Sequence, residues 1–430
     1  MHRTPFRFFT PITLASLAAL AATAAPLGAQ CTWQPVGEGF NAGERAPEVK
    51  ALHVHGGQLI AGGGFLHSGG ESCELIAAWN GSTWEQIGAG LEGSVEAITT
   101  FNGELIVGGW IELDGEFQSV LRFDGADWHA LEGGPDGSVW ALAVYNDQLI
   151  AAGQFLQAGD TVVNHIAAWD GDSWNPIGNG IDDLFGGASI NALAVYDGDL
   201  IAAGAFIEAL EAPGNNIARW NGTTWSALGS GLEDSFNLAA LALTVYNGEL
   251  IVGGDFNLAG GQPTHNLARW NGNAWNDLDN PANDGRVYAF AEFNGELVAG
   301  KSNTDGGTGN MIDRWDGATW LPLEPHFTDT ATIRALAVHD DALIAGGPYL
   351  ELASGETANG VASWCAGGVS CPADIAPPAK GGDGVVGPAD LAALLASWGA
   401  CPDCPADFNG DNLVGPADLA QLLAGWGACE

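Results

Sequence analysis

The chain has 430 residues, is 47% apolar, and carries 52 Asp and Glu against 12 Lys and Arg, a formal net charge of −40. That imbalance argues against a nucleic-acid binder, whose phosphate contacts need Lys and Arg, and against docking on anionic membrane surfaces. It suits a soluble protein in a cation-rich setting, and the apolar share is enough for a core.

Residues 1–30 read as a secretory signal. Arg3 and Arg7 give a positive start, Ile12 to Ala25 is apolar, and small residues around Gly28-Ala29 offer a cleavage site. A retained anchor is the alternative. Gln30 stands before Cys31 where a lipidation signal wants a small residue. No later stretch is long and apolar enough to span a bilayer. The expected location is therefore secreted, extracellular or cell-surface, and the seven cysteines are expected mainly in disulfides.

From there a unit of two β-hairpins repeats. The first hairpin turns at Gly56-Gly57, Asn102-Gly103, Asn146-Asp147, Asp197-Gly198, Asn247-Gly248, Asn294-Gly295 and Asp340-Asp341, roughly every 44 to 51 residues. These residues tolerate the positive φ angles of a tight two-residue turn. The strand before the turn is apolar, as in ALAVY at 141–145 and 192–196, and the strand after it ends in a small pair such as Gly62-Gly63 or Gly346-Gly347. Glycine there fits a bulge or a close backbone approach near an axis. The second hairpin is WNGSTW (79–84), FDGADW (123–128), WDGDSW (169–174), WNGTTW (220–225), WNGNAW (270–275) and WDGATW (315–320).

The second hairpin has one copy fewer than the first. The last repeat stops at Trp364-Cys365, while the mature chain would begin Cys31-Thr32-Trp33, which matches the missing half. A hairpin split between the two ends implies a closed ring with no open sheet edge. The expected fold is mainly β: a seven-bladed β-propeller over 31–366 whose N-terminal strand closes the last blade, then a 367–370 linker and a small α-helical calcium-loop domain at 371–430. Cys31 and Cys365 face each other across the split hairpin and are expected to be bonded. Cys73 has no obvious mate.

The repeats resemble the kelch family over roughly 31–366. The resemblance rests on the apolar strand closed by a glycine pair, the aromatic ending the next strand, and a Trp about five residues later. The usual Tyr is here mostly Trp, at Trp79, Trp169, Trp220, Trp270 and Trp315. A WD40-type propeller fits less well, because its Gly-His element is missing. Such propellers serve as binding platforms or, rarely, as enzymes.

The repeated tryptophans read as packing between blades rather than as sugar platforms. Arg122, Arg219, Arg269 and Arg314 each precede a hairpin aromatic and are expected to pair with carboxylates. Ligand binding is expected on the stretches after the glycine pair, read as variable loops at 66–74, 156–165, 207–216 and 257–265. There is no GxSxG, HExxH or phosphate-binding glycine loop. A copper-radical site is disfavoured because Tyr145, Tyr196, Tyr246 and Tyr288 occupy repeated strand positions.

Composition changes after 370. Val386–Cys401 is repeated as Val414–Cys429, differing only at Ala393/Gln421 and Ser397/Gly425. Leu391, Leu394, Leu395 and Trp398, like Leu419, Leu422, Leu423 and Trp426, have helical spacing and are expected to pack two helices together. Before the second helix, Asp407, Asn409, Asp411, the Leu413 carbonyl and Asp418 fall at positions 1, 3, 5, 7 and 12 of an EF-hand-type loop, with Asn412 in place of the usual Gly. The first loop offers Asp383, the Val385 carbonyl and Asp390, with Ala379 and Gly381 where early ligands belong and Asp374 placed to swing in. The expected cofactor is calcium.

The duplicated loop and helix resemble a type I dockerin, which implies a cohesin-like or surface partner. Pro388-Ala389 and Pro416-Ala417 stand where that family carries recognition residues. Bonds between Cys371 and Cys401, and between Cys404 and Cys429, would staple each repeat. The leading expectation is a secreted, non-enzymatic binding protein whose propeller presents loops to an unknown glycan or protein. The alternatives are a carbohydrate-active enzyme with an acidic propeller site and a purely structural surface protein.

Overall fold

The repeated turn residues adopt the backbone their chemistry allows. Both central residues of every first-hairpin turn have positive φ, from Gly56 and Gly57 at 58° and 85° to Asp340 and Asp341 at 48° and 58°. That turn type twists with its strands, so each apolar run folds directly onto the next. The computed structural model describes residues 32–41, 43, 46–181, 187–206, 215–233, 239–278, 285–302, 311–323, 327 and 332–364, with 385–386, 391, 394–395, 399–400, 413–424 and 427–428. The chain divides into a unit spanning Cys31–Gly368 and one that includes Val369–Glu430.

In the first unit the described residues form seven four-stranded antiparallel sheets. The first sheet runs Glu48–His55, Gln58–Gly64, Ile76–Trp79 and Trp84–Gln86. The first strands of the next six are Leu91–Phe101, Ser138–Tyr145, Ser189–Tyr196, Ala239–Tyr246, Val287–Phe293 and Ala335–His339. Each first strand packs on the first strand of the following sheet, and Ala335–His339 packs on Glu48–His55, which closes a circle. The last sheet is completed from the other end of the unit: Trp33, Gln34 and Pro35 pair with Trp364, Ser363 and Ala362.

The core lies between sheets. One cluster joins Val36, Ile344 and Val361 of the last sheet to Val49, Phe65 and Trp84 of the first. The tryptophans tie the sheets by hydrogen bonds as well as by area. The indole Nε1 of Trp84 donates to the Val36 carbonyl at 3.0 Å, and Trp128, Trp174, Trp225, Trp275 and Trp320 donate to Ile87, Leu131, Ile177, Leu228 and Leu278. Every acceptor belongs to the preceding sheet, just past its last strand, so the bonds run between sheets rather than to a local turn. Trp33 finds no such acceptor among the described residues; its ring packs on Phe327 at 4.8 Å.

The small pair has two separate causes. A Cβ on Gly62 would stand 2.6 Å from Val95 Cγ1 of the next sheet. A Cβ on Gly63 would stand 1.9 Å from the Glu48 carbonyl oxygen of its own sheet, opposite a bulge. The four arginines pair as charge predicts: Arg122 with Glu104, Arg219 with Asp199, Arg269 with Glu249 and Arg314 with Glu296. All four pairs are partly exposed, so each contributes little to stability.

The second hairpin closes on an Asx turn. Trp79 pairs with Trp84 around four residues, and the Asn80 carboxamide oxygen accepts from the Ser82 and Thr83 N–H groups. The stretches read as loops at 66–74, 156–165 and 257–265 are miniature hairpins, with strands at His67–Ser68 and Glu71–Ser72, at Gln157–Ala158 and Thr161–Val162, and at Leu258–Ala259 and Gln262–Pro263. Each buries two small side chains: Ser68 and Cys73, Ala158 and Val163, or Ala259 and Thr264. Cys73 is thus a core residue with a free thiol, held above its usual pKa by burial. The corresponding 207–214 lies outside the described residues.

In the second unit Val385-Val386 pairs with Gly427-Ala428, and Gly399-Ala400 with Leu413-Val414, so each copy's loop strand pairs with the segment after the other copy's helix. Leu394 and Leu422 are fully buried, but Leu395 and Leu423 are 51% and 52% exposed. Neighbouring helix positions point about 100° apart, so one leucine of each pair is buried and the next is exposed. Trp398 and Trp426 lie outside the described residues.

Candidate ligand-binding site

Six of the seven first strands carry a bulge at one repeated place. Val49 pairs with Gly63 and Ala51 with Gly62, which leaves Lys50 as the extra residue. The same shift isolates Glu96, Trp140, Asn191, Leu241 and Tyr288. In the last sheet the ladder starts at Ala335, so Arg334 stands at the equivalent position, its N–H donating to the Gly346 carbonyl. The residue that follows is alanine in all seven sheets, and the next is Leu, Ile or Phe. The bulge residue is different in every one: Lys50, Glu96, Trp140, Asn191, Leu241, Tyr288 and Arg334.

A bulge re-aims the side chain it frees and leaves the neighbouring ladder intact. Here it places one half-buried or exposed side chain per sheet on the strands nearest the axis. Several of these side chains meet across sheet boundaries. Lys50 Nζ lies 2.6 Å from Glu96 Oε1 and 4.0 Å from Glu48, and Arg334 Nε donates to Glu48 at 3.0 Å. The Arg334 guanidinium stacks over the Tyr288 ring at 4.6 Å. Arg286 pairs with Asp255 at 2.5 Å, and a hydrogen bond to Tyr288 is the main cause holding its pKa above the usual arginine value. The result is a continuous arc, Asp255–Arg286–Tyr288–Arg334–Glu48–Lys50–Glu96, across sheets five, six, seven, one and two.

The rest of the ring is uncharged: Trp140, Asn191 and Leu241, with the Asn191 carboxamide donating to the Ala240 carbonyl at 3.0 Å. The rim adds Trp110, which pairs across the ladder with Ser94; the Ser94 hydroxyl in turn donates to Glu96. Trp110 is 52% exposed, the largest aromatic left open among the described residues, with Phe117 against it at 4.5 Å. Ten Lys and Arg follow residue 30 (twelve less Arg3 and Arg7), and three of them lie in this arc. The ring therefore gathers both signs of charge and two aromatic faces at one end of the first strands.

Sequence reasoning singled out the stretches after the glycine pair and did not pick out the bulge column. The signal was present: once ALAVY, ALHVH and ALAVH are aligned, the column before the alanine never repeats.

Of the residues expected to bind calcium, Asp374, Asp383, Asp390, Asp407, Asn409 and Asp411 lie outside the described residues. Val385 and Leu413 lie in the two short strands, and Asp418 sits in the first turn of the helix Pro416–Ala424. Asp418 is 1% exposed, and one of its oxygens accepts from the Gly415 N–H at 2.8 Å. A carboxylate so deeply buried needs donors or a cation beside it, which fits the chemistry of a hard-cation loop. Among the described residues no three His, Cys, Asp or Glu converge on a common point. Cys31, Cys365, Cys371, Cys401, Cys404 and Cys429 lie outside the described residues.

A family model for the Rax2 C-terminal beta propeller domain matches residues 38–198, a stretch holding the first three sheets and the start of the fourth. The unit spanning Cys31–Gly368 is a β-propeller. Among solved structures, the extracellular domain of the hybrid two-component system BT4673 from B. thetaiotaomicron is similar over 77% of this chain, at 12% identity and a TM-score of 0.49; the match spans 39% of that chain. The computationally designed Ika8 protein is similar over 77% of this chain and 99% of its own, at 16% identity and a TM-score of 0.42. Curated proteins give no match. No helix among the described residues is long and apolar enough to cross a membrane.

Proposed function

We propose that the chain is a secreted, non-enzymatic binding protein. Its seven sheets are the blades of a kelch-like propeller that recognises a ligand at the bulge ring, and its C-terminal unit is a dockerin-like, calcium-stabilised module that attaches it to a scaffold or surface. The observation that carries the reading is the ring itself. Within a repeat held almost constant, one column differs in every sheet, and in six sheets a bulge frees that column from the ladder of the innermost strand. Packing does not require seven different residues there, but recognition of an asymmetric ligand does.

The seam supports the ring geometry. Trp33 pairs with Trp364, and Cys31 and Cys365 flank that pair, so a disulfide between them would lock the closing strand. Attachment rests on the buried Asp418 and the cross-paired loop strands.

Binding of the full-length chain to the surface of the producing cells tests this function. Single substitutions at the bulge positions should lower binding, and removal of calcium should lower it independently. If removing 369–430 abolishes binding while no bulge substitution changes it, recognition does not reside on the propeller.

A further inference from the structure

We infer that the ligand of the bulge ring is a neutral saccharide, seated between the aromatic side chains Trp140 and Trp110 and the charged arc around Tyr288. This rests on the reading of the ring as a recognition site and adds the chemical class.

The side chains of the ring select the class. A sugar ring presents apolar C–H faces and, at its edges, hydroxyls that both donate and accept. It is bound by an aromatic face together with groups that offer both functions at fixed positions. Trp140 is half-buried in the ring, and Trp110 stands 52% exposed at the rim beside Phe117. Asn191 can donate and accept through one carboxamide, and Glu48 and Glu96 supply acceptors. Lys50, Arg286 and Arg334 supply donors whose orientation is set by their partners. Tyr288 is stacked by the Arg334 guanidinium, and its interaction with Arg286 holds that arginine's pKa up. Such pre-ordered polar groups lose little side-chain entropy when a hydroxyl arrives.

Charge decides between neutral and acidic saccharides. Each cation of the arc already faces a carboxylate: Lys50 faces Glu96, Arg334 faces Glu48, and Arg286 faces Asp255. An anionic sugar would have to displace one of them. It would also approach a chain of net charge −40, whose field repels polyanions at low ionic strength. A neutral saccharide meets neither obstacle.

The test is calorimetric titration of the full-length chain with a panel of neutral oligosaccharides, matched uronate oligosaccharides and short lysine-rich peptides. A neutral member should bind, with Trp fluorescence changing on addition. Trp140→Ala and Trp110→Ala should each weaken it about tenfold or more, and Glu96→Gln should weaken it while leaving the fold intact by circular dichroism. Thr223→Ala, on an outer turn, should leave it unchanged. Binding by uronates or peptides alone, binding indifferent to Trp140 and Trp110, or no binding by any neutral member overturns the inference. If cell-surface binding still depends on the bulge positions but no saccharide competes for it, the saccharide class falls and the recognition site stands.

Discussion

Gly346 of the last sheet touches Val49 of the first across the seam: a Cβ on Gly346 would stand 2.7 Å from Val49 Cγ1. Gly347 beside it faces backbone, where a Cβ would stand 2.3 Å from the Thr332 carbonyl oxygen. A side-chain tip can shift alone; a main-chain carbonyl moves only with its chain. Gly346→Ala should therefore cost about 1–3 kcal/mol as overpacking, and Gly347→Ala more. Sheets three and four already follow this rule, with Ala152 and Ala203 at the first position and glycine at the second. Urea titration of both variants gives the order, and a reversed order would refute the two-cause account of the glycine pair.

In the sixth sheet Lys301 takes the place of that second glycine, and Asp313 takes the place of an alanine such as Ala77 or Ala268. The two form an ion pair, with Lys301 2% exposed. Removing one partner strands a buried charge, so Asp313→Ala should cost about 3–5 kcal/mol. The double variant Lys301→Gly with Asp313→Ala restores what sheets one and five use and should recover most of the loss. A double variant as unstable as the single one would show that the charges themselves are needed there.

His165 has a φ of 70° while 3% exposed, where the equivalent Asn216 and Asn266 have 61° and 63°. Those asparagines also accept from the Phe206 and Phe256 N–H groups at 3.0 Å. Asparagine tolerates the left-handed region better than other side chains do. His165→Asn should stabilise the protein by about 1 kcal/mol, read as a rise in Tm. A fall would mean that His165 makes contacts worth more than the relieved strain.

His53 should make stability pH-dependent. Burial, then the neighbouring His55, lower its pKa from 6.5, and both rings share the Thr100 hydroxyl at 2.9 Å. Above pH 6.5 the imidazole is neutral folded and unfolded, and it contributes no slope. As pH falls below 6.5 the unfolded chain takes up the proton first, so stability is lost until the folded-state pKa is passed. His53→Asn should flatten unfolding free energy against pH in that window. An unchanged slope would place the titration elsewhere.

Calcium should stabilise the C-terminal unit and leave the propeller alone. A loop occupied at a hundredfold over its Kd gains about 2.7 kcal/mol. In calorimetry of the full chain, chelation should lower one transition and spare the other, and Asp411→Ala should mimic the chelator. Two transitions indifferent to chelator would remove calcium from the account.

The sheet pattern was open to reading because turn chemistry is local: Asn102-Gly103 and Asp197-Gly198 announce their backbone, and Trp33 announces the missing half of a hairpin that ends at Trp364. The arginines were equally plain, since a lone cation at a repeated position in an acidic chain needs a carboxylate. The ring was hidden because a bulge is a property of register between two strands, and Lys50 gives no sign alone of lacking a partner opposite it. The miniature hairpins hid behind Gly69-Gly70 and Gly260-Gly261, which read equally well as loop. At Leu395 and Leu423 spacing named a helix face but not how wide a stripe its partner would cover.

The bulge also separates two demands that usually compete. Backbone geometry around Lys50 or Trp140 is set by the glycines and alanines beside it, so the side chain at that spot is nearly free of folding duty. On the proposed recognition role, specificity can drift by single codon changes, sector by sector, with the scaffold beneath left untouched.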